Sequence, residues 1–73
     1  MKLPVVSGKK VIKFLVKHGY ETVRQKGSHV NLKKTTNPYN RVVVPLHDEI
    51  NPGTLNNILK QADITRKQFI KEI

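Results

Sequence analysis

The 73-residue chain contains no cysteine, and only five of its residues are acidic. The missing cysteine excludes a disulfide framework and a zinc site built on thiolates. No apolar run approaches the roughly 20 residues that a membrane-spanning helix needs. The first ten residues also lack the apolar stretch of a signal peptide. We therefore expect a soluble cytoplasmic protein with a single domain over residues 1–73, which must fold around a small hydrophobic core.

The few acidic residues are distributed unevenly along the chain. Residues 1–47 contain ten Lys and Arg but one acidic residue, Glu21, whereas residues 48–73 contain four of each kind. The net charge of +9 therefore lies entirely on the first two-thirds of the sequence. Such a charge attracts polyanions, and RNA or DNA is the favoured partner. The alternative is a generic basic surface that keeps a small protein in solution.

A first helix is predicted over residues 7–18. Ser7 is a good N-cap, and Gly19 can adopt the left-handed conformation that often follows a helix. Apolar residues between Val11 and Val16 gather on one side at helical spacing. The other side carries a lysine stripe at Lys10, Lys13 and Lys17. This stripe is either a solvated face or a phosphate contact, and the sequence favours neither.

Two further helices are predicted near the end of the chain. Asn51 and Pro52 are a natural N-cap and first helical residue. The apolar positions of this second helix are Leu55, Ile58, Leu59 and Ala62. Thr65 and Gln68 form a capping box that begins a short third helix. The apolar positions of the third helix are Phe69, Ile70 and Ile73.

Residues 20–34 are predicted to form a β-hairpin with a two-residue loop at Lys26-Gly27. In this register Arg24 faces His29. One face of the hairpin then carries Val23, Val30 and Leu32. The other face carries Thr22, Arg24, His29, Asn31 and Lys33.

A third strand over residues 41–45 completes the predicted fold and ends at Pro45. The order α-β-β-β-α, followed by a short C-terminal helix, indicates an α+β fold. Its three-stranded antiparallel sheet packs one face on the helices and leaves the other face to solvent.

His29 lies on the solvent face and is the candidate catalytic residue. An imidazole gives or takes a proton under mild conditions, and RNA carries its own nucleophile, the 2′-hydroxyl beside each phosphodiester. A base that removes this proton, near cations that neutralise the phosphorane charge, cleaves RNA without a metal or other cofactor. The substrate-binding candidates are Arg24, Lys26, Ser28, Asn31, Lys33, Lys34 and Lys10. The alternative is that His29 is an ordinary exposed strand residue.

The other two histidines and the two tyrosines are weaker candidates for functional residues. His47 is a candidate second acid/base, although a plain loop histidine is the more common meaning of such a position. A metal site at residues 47–49 is disfavoured because adjacent strand residues point to opposite faces. His18 is expected to be structural, at a helix C-terminus. Tyr20 is expected to cover the core, and Tyr39 is either a base-stacking residue or a loop residue without a special role.

Four segments resemble a known family. "SGKKVIKFL", "HGYETVRQKGSHV", "VVVPLH" and "GTLNNILKQADIT" occur in the order seen in HicA-type toxins, also called the YcfA-like family. The resemblance covers nearly the whole chain. It implies a fold like that of double-stranded-RNA-binding domains, an mRNA interferase activity, and a HicB antitoxin that covers the active face. The family's catalytic histidine matches His29, and its lead-in matches Gly27 and Ser28. Asp63 stands where the family often has glycine.

The sequence therefore predicts a ribonuclease toxin that acts on mRNA, with His29 as general acid/base and Arg24 and the lysines as phosphate ligands. A non-catalytic RNA-binding module is the alternative. An ordinary double-stranded-RNA-binding domain is disfavoured, because "NPGTLNNILK" lacks a lysine cluster at the start of its helix. A DNA-binding accessory protein is a third reading.

Overall fold

A computed structural model describes residues 2–73 and confirms the predicted α+β fold. The elements are α1 (Gly8–Lys17), β1 (Tyr20–Lys26), β2 (His29–Lys34), β3 (Arg41–Pro45), α2 (Pro52–Gln61) and α3 (Arg66–Glu72). The strands form one antiparallel sheet in the order β1-β2-β3. Among residues 2–73, no helix has the length and apolar character needed to cross a membrane.

Side-chain caps begin all three helices where the sequence predicts them. The Ser7 hydroxyl accepts a hydrogen bond from the Lys10 N–H at 3.2 Å. Asn51 Oδ1 accepts from the Gly53 N–H at 2.8 Å. The hydroxyl of Thr65 accepts from the backbone N–H three residues on, at 3.1 Å. Each cap satisfies a donor that the helix itself leaves without a partner.

Left-handed residues end the first two helices. Gly19 follows α1 with a φ of +87°, as predicted. Asp63 follows α2 with a φ of +58°. Its N–H donates to the Lys60 carbonyl at 3.1 Å, and the Ile64 N–H donates to the Leu59 carbonyl at 2.9 Å. This pair of hydrogen bonds is the Schellman motif, which explains why glycine suits the position of Asp63.

The core lies between the helices and one face of the sheet. Tyr20 is buried there, as predicted, and its hydroxyl donates to the Ala62 carbonyl at 3.4 Å. Val16 is an exception to the predicted apolar side of α1, because its side chain is half exposed. The buried apolar residues are Val6, Val11, Phe14, Leu15, Tyr20, Val30, Leu32, Val42, Val44, Ile50, Leu55, Ile58, Leu59, Ala62 and Phe69.

The hairpin register differs from the prediction at its turn. The turn residues are Gly27-Ser28 rather than Lys26-Gly27, so His29 pairs with Lys26. The predicted pairing of Arg24 with His29 is therefore wrong. Gly27 has a φ of +59°, which suits the first position of a type II′ turn. A type I′ loop at Lys26-Gly27 would instead force a positive φ on a lysine.

A β-bulge in β1 accounts for the second difference. The ladder shifts between Thr22 and Arg24, which leaves Val23 without a partner on β2. Val23 is half exposed rather than part of the core, so its predicted place on the core face is wrong. Because the bulge adds one residue, it reverses the alternation of side chains along β1. Tyr20 thus faces the core while Arg24 faces solvent.

Candidate active site

One face of the sheet is free of helices and carries most of the predicted site; we call it the open face. Residues directly opposite each other in an antiparallel ladder lie on the same face. Its three cross-strand rows are Lys26–His29–Pro45, Arg24–Asn31–Val43 and Glu21–Lys33–Arg41. The intervening residues of β2 and β3, such as Val30 and Val44, are buried on the other face. The open face therefore holds four cationic side chains and a single carboxylate among its paired residues.

His29 begins β2, directly after the turn, and its side chain is exposed. Its imidazole makes no hydrogen bond or ion pair within residues 2–73. The ring is therefore available to a ligand at both nitrogens. The predicted exposure of His29 is therefore observed, whereas the arginine predicted directly across the hairpin is replaced by Lys26.

Lys26 is the cation closest to His29 in the ladder. Directly paired residues have Cβ atoms about 4.5–5.5 Å apart, and diagonal neighbours about 7–8 Å apart. Arg24 is such a diagonal neighbour, because it pairs with Asn31. Both cations are exposed. The site thus has a lysine beside the imidazole and an arginine one row farther away.

The strand on the other side of His29 is held by the start of α1. Pro45 pairs with His29, and a Cβ at Gly8 would lie well inside the contact distance of the Pro45 carbonyl oxygen. The Gly8 N–H donates to the His47 carbonyl at 2.9 Å. Gly8 is therefore required for the close approach of α1 to β3. Sequence analysis assigned no role to this glycine.

The far end of the open face contains Lys33 and Arg41, which pair with each other. Lys33 lies four residues beyond His29 on β2, or about 13 Å along the strand. Its Nζ is 5.7 Å from the centroid of the Tyr39 ring. Sequence analysis missed Arg41 as a site residue. Arg41 is the single charged residue of the strand "RVVVP", and a charged side chain takes the solvent face of a half-buried strand; this is the signal that could have found it.

Two of the predicted substrate-binding residues lie elsewhere. Lys34 pairs with Tyr20, so it projects to the core side of the sheet at the end of β2. Lys10 is on α1, in the helix layer. It lines a groove of about 610 Å³ together with Ile12, Lys13, Phe14, Val16, Lys17, Glu72 and Ile73. Neither lysine shares the open face with His29: Lys34 lies on the opposite face of the sheet, and Lys10 lies in the helix layer beyond the core.

Ser28 lies in the turn at one end of the open face, and His47 follows the end of β3 at the same end of the sheet. The Ser28 carbonyl accepts a hydrogen bond from the Leu46 N–H at 2.6 Å. The chain therefore passes alongside the turn immediately before His47, whose side chain is exposed. Residues 2–73 contain no group of three or more His, Asp or Glu side chains arranged to hold a metal ion.

His18 is distant from this surface and connects two helices. Its Nε2 is 2.8 Å from Glu72 Oε1, and its ring centroid is 4.4 Å from that of Phe14. Phe14 in turn makes an edge-to-face contact with Phe69 at 4.9 Å. These contacts join the end of α1 to α3, which agrees with the structural role expected of His18.

The open face combines an unpartnered imidazole with Lys26 and Arg24 on the β1 side of it, and with Lys33 and Arg41 at the far end of the face. Such a surface binds a chain of phosphates through the cations, while the imidazole can take a proton from a bound hydroxyl. The hydrophobic residue Val43 lies in the middle row and is 44% exposed. The face therefore also offers apolar area against which a base or sugar can pack.

Comparison with known proteins identifies a family. A family model described as "HicA toxin of bacterial toxin-antitoxin" matches residues 8–64. The matched segment begins at the first residue of α1 and includes every row of the open face. No curated protein and no solved structure matches the chain, so the expected likeness to double-stranded-RNA-binding domains stays a prediction.

Proposed function

The chain belongs to the family of HicA toxins of bacterial toxin–antitoxin systems, and we propose that it is a ribonuclease that cleaves mRNA on the open face. His29 is the general acid/base of this reaction. The observation that carries the proposal is the position of His29, exposed and without a partner, in the same row as Lys26. The exposed guanidinium of Arg24 lies one row away.

The proposed reaction uses the 2′-hydroxyl of the RNA as nucleophile. The imidazole of His29 accepts the proton of this hydroxyl as the oxygen bonds to the adjacent phosphorus. The bond from phosphorus to the 5′-oxygen of the next nucleotide then breaks. The products are a 2′,3′-cyclic phosphate and a 5′-hydroxyl, after the leaving oxygen has gained a proton. The reaction needs no redox partner.

Lys26 and Arg24 are proposed to stabilise the charge that develops on the phosphorane oxygens. Lys26 is the nearer of the two to the imidazole, whereas the planar fork of Arg24 suits two phosphate oxygens at once. Lys33 and Arg41 are placed to bind flanking phosphates. Asn31 lies between the two ends and can donate its amide N–H groups to the sugar or the phosphate.

The proton for the leaving oxygen has two candidate sources. His47 lies close to the turn, so an imidazolium there can donate it. The alternative is that His29 returns the proton that it accepted. Ser28 is proposed to orient the substrate from the turn, because its hydroxyl has no hydrogen-bond partner within the described residues.

An antitoxin partner follows from the family, and we propose that a HicB-type antitoxin covers the open face. The cations of this face would attract an acidic partner surface, and RNA would then be excluded from His29. Charge-reversal variants on the two end rows, Lys26→Glu and Arg41→Glu, should each weaken the complex. The affinity of each toxin for the antitoxin is measured by calorimetry. If both variants bind the antitoxin as tightly as the unchanged toxin does, the antitoxin lies on another surface.

The decisive experiment follows RNA cleavage in excess EDTA. Wild-type protein should cut a single-stranded RNA, whereas His29→Ala should bind it with similar affinity and leave it intact. A substrate with one 2′-deoxy sugar at the cut site should resist cleavage at that site. The His47→Ala variant, run in parallel, removes a histidine from the same end of the face and tests its role as acid.

The outcomes separate the competing functions. RNA that is bound but not cut by wild-type protein would support the non-catalytic RNA-binding module. Continued cleavage by His29→Ala would remove His29 from the mechanism. Cleavage at the 2′-deoxy sugar would reject the 2′-hydroxyl as nucleophile. A His29→Ala variant that neither binds nor cuts would show that the residue is structural.

A further inference from the structure

Tyr39 is an exposed aromatic residue that the proposed reaction does not use. It lies in the loop between β2 and β3, and its side chain is 59% exposed. The chain's other tyrosine, Tyr20, is buried in the core. Burying little area, Tyr39 adds little to the hydrophobic stabilisation of the fold.

The loop around Tyr39 is held by backbone hydrogen bonds. The Asn40 carbonyl accepts from the Lys34 N–H at 2.8 Å, and the Asn40 N–H donates to the Pro38 carbonyl at 2.8 Å. These bonds anchor the residue next to Tyr39 to the end of β2. The ring is therefore presented from a constrained segment of backbone, which lowers the entropic cost of binding a ligand.

The contact with Lys33 shows where the ring lies. The ammonium is 5.7 Å from the ring centroid, within the range of a cation–π interaction. Lys33 belongs to the same row of the open face as Arg41. Tyr39 therefore stands at the far end of the open face, next to Lys33, which lies about 13 Å from His29 along β2.

We propose that Tyr39, Lys33 and Arg41 form a subsite that stacks one unpaired base of the RNA and binds the phosphate attached to it. This inference rests on the proposed function and defines its substrate class as single-stranded RNA. Aromatic rings next to basic side chains are the usual means of holding single strands without reading their sequence. A base within a duplex has both of its faces covered by neighbouring pairs and cannot stack on the ring.

The distance from His29 determines which nucleotide occupies the subsite. Because the ring lies next to Lys33, which is about 13 Å from His29 along β2, a base stacked on it lies outside the two nucleotides that share the scissile phosphate. Lys33 contacts the ring and belongs to the row next to the middle row of the open face. Its ammonium can therefore bind a phosphate that connects the stacked nucleotide to the scissile one.

The test combines a protein change with an RNA change. Short single-stranded RNAs with a known cut site receive one abasic nucleotide at successive positions. The kcat/KM for each is measured with wild-type protein, Tyr39→Ala and Tyr39→Phe. Tyr39→Ala should lower kcat/KM on the intact RNA by about 5- to 100-fold, mainly through KM, as expected for the loss of one stacking contact. Tyr39→Phe keeps the ring and should stay near wild type.

Coupling between the two changes identifies the stacked base. One abasic position, outside the pair that flanks the cut, should lower wild-type kcat/KM by a similar factor and have no further effect on Tyr39→Ala. Abasic positions that affect both proteins equally would overturn the proposal, as would a Tyr39→Ala variant with wild-type kcat/KM.

A binding measurement keeps the test valid if cleavage fails. The same RNAs with 2′-O-methyl sugars cannot be cut by the proposed route, and their affinity is followed by fluorescence anisotropy. Wild-type protein that binds without cutting any RNA contradicts the proposed function alone. In that case, loss of affinity in Tyr39→Ala still supports the stacking subsite, and equal affinity of the two proteins rejects it.

Discussion

Tyr20 and Arg24 lie four residues apart on the same strand, yet their side chains lie on opposite faces of the sheet. Strict alternation would place both on one face. The unpaired Val23 between them reverses the alternation, so that a core tyrosine and a solvent-facing arginine coexist on β1. Bulges often redirect side chains next to functional sites, and this one places Arg24 and Lys26 beside His29.

Deletion of Val23 should leave the site in place. Thr22 and Arg24 would then be adjacent, and plain alternation keeps Tyr20 on the core face and Arg24 and Lys26 on the open face, in the pairs that they form now. We expect kcat/KM on RNA to stay near wild type. The control Val23→Ala keeps the bulge and changes an exposed side chain, so it should also remain close to wild type. A large loss of cleavage in the deletion variant, with an unchanged midpoint of urea unfolding, would show that the local bend of the bulge is itself needed to position Arg24 and Lys26.

Removal of single positive charges should separate the open face from the helix layer. In a His29→Ala background, Arg41→Ala should reduce the slope of log Kobs against log salt concentration by about 0.7 for single-stranded RNA. Lys10→Ala removes the same charge from α1 and should leave the slope unchanged. Anisotropy titrations at several salt concentrations measure both slopes. If Lys10→Ala reduces the slope and Arg41→Ala does not, the RNA-binding surface is on α1.

Gly8→Ala should destabilise the fold, because a methyl group there meets the backbone of Pro45 rather than a flexible side chain. Overpacking of this kind costs about 1–3 kcal/mol. The midpoint of urea unfolding should fall, and RNA cleavage should fall with it, since Pro45 is the ladder partner of His29. Lys9→Ala, at the next and exposed helix position, serves as the control. A wild-type unfolding midpoint in Gly8→Ala would show that α1 can shift away from β3 without loss.

Asp63→Gly should stabilise the protein. Glycine adopts the observed φ of +58° without the steric penalty of a side chain, and the change removes a negative charge from the C-terminal end of α2. We expect a gain of about 0.5–1 kcal/mol, seen as a rise of a few degrees in Tm. Asp63→Asn removes the charge alone and tolerates the same backbone conformation. Its change in Tm therefore gives the electrostatic part of the effect. A lower Tm for the glycine variant would mean that the carboxylate makes a stabilising contribution larger than the strain.

The helices and strands were predictable because their signals are local. Ser7, Asn51 and Thr65 cap the helices that follow them, as their side-chain chemistry predicts. Apolar spacing identified the buried positions of α2, including Leu55 and Ile58. Exposure of His29 also followed from sequence, because its neighbour in β2 is an apolar residue that takes the core face.

The arrangement around His29 was less predictable. The prediction placed Arg24 opposite the imidazole, because one loop residue was misassigned in the turn. A glycine can occupy the first or the second position of a two-residue loop. The two positions differ in the turn type that they allow, and therefore in the φ that the other loop residue must adopt. Arg41 and Tyr39 were not placed at all, since they join the site through the β2–β3 pairing, which no short-range pattern specifies.

By itself, the sequence determined the type and order of the elements, the excess of positive charge on the first two-thirds of the chain and the exposure of one strand histidine. These properties depend on helix caps, on the spacing of apolar residues and on the positions of the charges, all of which can be read from short stretches of sequence. Only the tertiary structure decided which cations share a face with that histidine. Cross-strand neighbours depend on the turn, the bulge and the packing of Gly8 on Pro45, and these contacts join residues that lie far apart in the chain.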